Sequence, residues 1–221
     1  MSGELVRYGD NEVVRRVAQR WARANRQATA ELRLAGAPKA MLRNESNIMS
    51  ELSLAPHWNY NLFVYRDATI LSASLGKTED PEWGRTVNVM VVHTKLHERG
   101  KGLAVDAYRA LFRWSEDNGY GHLVTASGSY EGWRTHHRLG MTPWGVNGAG
   151  QIVFVAPLGG GSPRRPPPRA RRMGARQPMT WEGQVEALTD PDGPYRVRRQ
   201  DLPDDGETGE SERSNDVREQ Q

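Results

Sequence analysis

The sequence predicts an α/β fold, a sandwich of helices around a mixed central β-sheet, and three observations predict it. Apolar runs of strand length alternate with segments of helical periodicity through residues 60–157. One of them, Val87-Asn88-Val89-Met90-Val91-Val92, is almost continuously apolar, the pattern of a central strand covered on both faces. Hairpin patterns at the ends of the series add antiparallel pairs to it.

Taken in order, residues 11–34 read as a helix, with Val13, Val14, Val17, Trp21, Ala24 and Ala28 on one stripe and arginines around the rest. Pro38 and Pro56 bound a second helical stretch, 39–54, and His57, Trp58 and Tyr60 precede the first strand. Residues 62–65 and 69–75 read as strands around an Arg66-Asp67-Ala68 turn. After the central strand, 87–92, apolar residues recur at Leu103, Ala107, Tyr108, Leu111 and Phe112, a helix that should end at Asn118-Gly119. Residues 122–126 form a short strand, 130–139 a helix and 151–156 a last strand.

Composition sets the outer limits. Residues 1–158 look globular, and roughly 150 residues suffice to bury a sizeable core. From Gly159 the chain changes character: 159–200 is rich in glycine, proline and arginine, with one short helix allowed at Trp181, Val185 and Leu188. Residues 201–221 carry eight acidic side chains against two arginines and almost nothing apolar, so a disordered acidic tail is expected. Net charge is only +3, with a sequence pI near 9.3, but it is segregated, and the arginine block would suit nucleic acid phosphates or the acidic terminus equally. There is no cysteine, so disulfides and a thiol nucleophile are excluded, and no metal site is expected. With no signal peptide and no apolar run long enough to span a bilayer, the expectation is a cytoplasmic protein without a membrane partner, monomer or homodimer.

The chemistry is concentrated at Arg99-Gly100-Lys101-Gly102-Leu103-Ala104, between the central strand and the helix from Leu103. A helix that starts there leaves its first N–H groups without internal partners, beside the positive end of its dipole. A phosphate fits against them, because Gly100 and Gly102 carry no Cβ to hold it off. The spacing is neither that of a Walker A loop nor that of a dinucleotide fingerprint. It resembles the pyrophosphate-binding turn of the GCN5-related N-acetyltransferases, Arg/Gln-x-x-Gly-x-Gly/Ala, with no mismatch. The resemblance covers residues 60–157 and implies a fold of that family's type, acetyl-coenzyme A as cofactor, and transfer of its acyl group to an amine on a small molecule or a protein. It also implies that the first helices form one wall of the acceptor cleft. Two alternatives stay open: a catalytically silent coenzyme A-binding module, and a nucleic-acid-associated acyltransferase acting on a modified base.

The resemblance carries residues with it. The turn from Arg99 to Ala104 should hold the pyrophosphate, and Ser129 should donate a hydrogen bond to the cofactor where the family usually has asparagine. Backbone of the central strand, at Val91, Val92 and His93, should orient the thioester carbonyl. His136 stands where the family's tyrosine protonates the departing thiolate, a role an imidazole can fill near neutral pH. His93, His97 and Glu98, beside the turn, are the candidate bases.

Overall fold

The structure, a computed structural model, describes residues 5–159 and 165–203. The fold is α/β with a mixed sheet of seven strands, as expected. The chain divides into two compact units, Met1–Thr78 with Val87–Tyr120, and Glu79–Thr86 with Gly121–Gln221.

The first unit holds β1 (Leu5–Tyr8), α1 (Asn11–Leu34), α2 (Lys39–Leu54), β2 (Asn61–Tyr65), β3 (Thr69–Leu75), most of β4 (Arg85–Thr94) and α3 (Leu103–Asp117). Its strands pair antiparallel in the order β1-β2-β3-β4. Helix α1 begins where Asp10 accepts hydrogen bonds from the N–H groups of Glu12 and Val13, at 3.0 and 3.1 Å, satisfying two of the donors a helix start leaves over. Alternation along β2 separates two cores. Leu62 and Val64 join Ile70 and Val91 against Val14, Val17, Trp21 and Leu52 of α1 and α2. Phe63, between them in sequence, meets Trp114 of α3 with ring centroids 4.8 Å apart. The sheet of this unit is thus covered on both faces, which explains the continuous apolar reading of its strands.

The second unit holds most of β5 (Tyr120–Ala126), α4 (Tyr130–Arg138), β6 (Thr142–Val146), β7 (Ile152–Pro157), α5 (Pro168–Arg172) and α6 (Trp181–Thr189), with strand order β5-β7-β6 and antiparallel pairing. The expected boundary at 158 is not where the chain divides, and the segment read as a linker is built into this unit. Ala170 and Ala175 are fully buried with Trp83, Val124, Trp144, Val153 and Val155. Val185 and Leu188 of α6 are buried, and Gln184 accepts a hydrogen bond from the Trp133 indole at 3.2 Å. Tyr195 closes the arrangement. Its hydroxyl donates to the Ser127 carbonyl at 2.6 Å and accepts from the Ile152 N–H at 2.7 Å, and burial pushes its pKa up to about 12. The acidic stretch, from residue 204 on, lies outside the described residues.

Candidate functional site

The glycine turn has the backbone its letters imply. Gly100 and Gly102 have φ of +81° and +73°, the left-handed region that favours glycine, and a Cβ built on either meets nothing within 4 Å. Open space therefore stands above both. Gly102 is the N-cap of α3 and supplies no side-chain acceptor, and the first backbone bond of the helix runs from the Asp106 N–H to the Gly102 carbonyl at 3.2 Å. The N–H groups of Leu103, Ala104 and Val105 are left over by helix geometry, next to a turn with room for an anion.

Strand β4 adds a second feature. Ser72 of β3 pairs with Val91, but the next residue, Ala73, pairs with Val89, so Met90 is an extra residue in the ladder. Such a bulge takes backbone groups out of regular pairing and re-aims them. The irregularity sits at Met90 and abuts Val91. The Val91–His93 stretch expected to present backbone is itself back in register with β3, Val92 facing Leu71 and His93 facing Ile70. Nothing in the run Val87-Asn88-Val89-Met90-Val91-Val92 marks a bulge, so the sequence could not locate it.

His93 and Arg99 are joined by a residue that the sequence reading passed over, Glu45 of α2. Glu45 is 1% exposed. One carboxylate oxygen meets His93 Nε2 at 2.9 Å and the other accepts from Arg99 Nη2 at 2.6 Å. Burial works against its charge, but hydrogen bonds from His93 and Arg99 and the Arg99 charge outweigh this, holding the carboxyl below its ordinary value. The Trp21 indole N–H donates to His93 Nδ1 at 2.9 Å, and an indole can only donate, so the imidazole hydrogen is on Nε2, facing Glu45. Both ring nitrogens are therefore engaged inside the protein, and His93 offers no lone pair to a substrate. It is the penultimate residue of β4, not a loop residue beside the turn. Arg99 is likewise committed: its Nε donates to the Thr94 carbonyl at 3.1 Å, so two edges of the guanidinium fix the turn to its base. Glu45 was legible in principle, as the one carboxylate on the α2 stripe Glu45, Met49, Leu52.

Glu98 ends a short 3-10 turn, Leu96–Glu98, before the glycines. Lys101 Nζ donates to it at 2.8 Å, and that hydrogen bond, ahead of the Lys101 charge, lowers its pKa. It is deprotonated and accessible, though a weaker base than an ordinary glutamate. Lys101 is thereby paired before any ligand arrives.

Ser129 and His136 belong to the second unit. Ser129 is the N-cap of α4, its hydroxyl accepting from the Gly132 N–H at 3.1 Å, which leaves the hydroxyl hydrogen to donate. His136 is buried against Phe154, ring centroids 5.0 Å apart, and burial pushes its pKa down to about 3. Its imidazole is neutral at pH 7, so the protonated donor expected at this position is not what the surroundings give. A histidine on a helix carries no letter that says which way it faces, and this one faces the core.

A strand with a displaced ladder is thus followed by an uncapped helix start behind two left-handed glycines, which leaves N–H donors beside open space. Neither a protein-family model nor a curated protein matches this sequence. Solved structures that it resembles include nourseothricin acetyltransferase, at 18% identity over 45% of this chain and 64% of that one, TM-score 0.36. They also include an acetyltransferase of the GNAT family from Listeria monocytogenes, at 10% identity over 70% and 95%, TM-score 0.47. A third is an acetyltransferase from Thermus thermophilus, at 16% identity over 72% and 98%, TM-score 0.45.

Proposed function

We propose that the chain is an acyltransferase that takes an acyl group, acetyl in the simplest case, from a coenzyme A thioester and delivers it to an amine. The observation that carries the reading is the open, uncapped start of α3 behind Gly100 and Gly102. The residues present suit the cofactor: N–H groups from Gly100 to Ala104 would hold the pyrophosphate, and backbone beside Met90 would orient the carbonyl. When bound, the thioester supplies an activated acyl group that an amine can attack. Positioning is the main contribution of the protein, which needs few obligatory side chains. Of the candidate bases, Glu98 and the more exposed His97, 3.4 Å apart, are both open to solvent beside the turn, while His93 serves to hold Glu45. The proton for the departing thiol comes from a group other than an imidazolium at His136.

Burial of both His93 and His136 favours a second reading, a coenzyme A-binding module without turnover. Incubation with acetyl-coenzyme A and a panel of amines separates the two. Amine-dependent release of free thiol supports the transferase. Saturable binding with no release supports the silent module, and absence of binding contradicts both.

A further inference from the structure

The first unit contains a cleft of about 610 Å³ that includes none of the glycine-turn residues. Helix α1 gives it Arg20 and Trp21, strand β2 gives Val64, the β2–β3 turn gives Arg66 and Asp67, and Lys95 follows β4. The volume is that of a site for a small organic ligand. Its floor is apolar. Its rim carries three cations and one carboxylate, and that carboxylate is the least secure element of it. Asp67 is 76% exposed and holds Lys95 at 2.8 Å, a surface pair of the kind worth roughly 0–1 kcal/mol. Lys95 also stands 5.1 Å from the centre of the Trp21 ring, so its ammonium is poised where apolar floor and charged rim meet. Arg66 and Asp67 both have left-handed backbone, φ of +51° and +49°, which fixes the turn that carries them to the mouth of the cleft. Arg20 makes no ion pair among the described residues.

We infer that this cleft binds a small amphiphilic anion, an apolar ring or chain bearing a carboxylate or phosphate, with the apolar body on Trp21 and Val64 and the acid group among Arg20, Arg66 and Lys95. The rim carries three cations to one carboxylate, and this excess of positive charge disfavours an amine of the same shape. Binding here does not depend on acyl transfer.

The full chain, labelled with 15N, is titrated with indole-3-acetate and separately with tryptamine, which carries a similar ring and the opposite charge, with no thioester present. Indole-3-acetate is expected to give saturating shifts in the amides of Arg20–Ala24 and Val64–Asp67, and tryptamine none. Arg20→Glu, an exposed change on α1, should weaken indole-3-acetate by roughly tenfold, the worth of one partly desolvated charge contact. Acetate alone should bind far more weakly than indole-3-acetate if the apolar floor contributes. Shifts confined to other residues, equal binding of tryptamine, or undiminished affinity in Arg20→Glu would each overturn the inference.

Discussion

Glu45 is the residue on which the candidate site rests, because its two oxygens tie β4 to the first residue of the glycine turn. Glu45→Ala leaves the buried His93 Nε2–H without an acceptor while Arg99, 37% exposed, turns to water, so it should cost about 1–3 kcal/mol in chemical denaturation, and Glu45→Gln less. A loss under about 1 kcal/mol for Glu45→Ala would show that Arg99 and His93 find other partners as easily. The pH dependence follows from two lowered pKa values. The Glu45 carboxyl is lowered in the fold, so its contribution is present above its ordinary value of 4.5 and is lost as pH falls through the depressed one. His136 is lowered to about 3 from 6.5, so between those values the unfolded chain binds a proton the folded chain does not, and stability rises with pH across that window. A melting curve series from pH 4 to 7 should climb in the wild type and climb less in His136→Gln; parallel slopes would mean the imidazole is not sequestered. Neither histidine's role was legible in the letters. His93 is the penultimate residue of β4, just past the apolar run that marked the strand, and the burial of His136 comes from packing against Phe154, 18 residues further on.

At the scale of elements, the glycine turn was readable because a left-handed backbone leaves a compositional trace, and α1 and α3 because their stripes repeat at helical spacing. Strands β1 and β6 were not. The first is four residues with an arginine among them, and the second carries Pro143 and Gly145 where a strand pattern should be apolar. Both hold their places through neighbours, β1 by pairing with β2 and β6 with β7. Gly145 shows how: its φ is +129° and a Cβ there would meet the Ala175 Cα at 3.3 Å, so the strand is shaped to the segment packed against it. Gly145→Val should therefore destabilise by about 1–3 kcal/mol through strain and overpacking. An unchanged melting temperature would place residue 175 away from β6.

For the whole molecule, composition misled about residues 165–203. Six arginines and three consecutive prolines between 164 and 176 read as a linker, yet the small residues among them, Ala170 and Ala175, are what the core takes in. A chain ending at Leu158 would lose the burial of Val185, Leu188 and Tyr195 and expose Trp133 and Trp144. Each large apolar side chain is worth about 1.5–3 kcal/mol, so the shortened chain should lose on the order of 5 kcal/mol and melt about 10 °C or more below the full one. Melting within a few degrees would mean that this segment is an appendage after all.

The central claim is that the start of α3 holds a pyrophosphate, and calorimetry with two related thioesters tests it most directly. Acetyl-coenzyme A carries the phosphates and S-acetylpantetheine does not. Wild-type protein should bind the first much more tightly, and Gly102→Val, checked by its melting curve to be folded, should remove that difference and leave any affinity for S-acetylpantetheine unchanged. Equal affinity of the wild type for the two, or an undiminished preference in a folded Gly102→Val, would contradict the account.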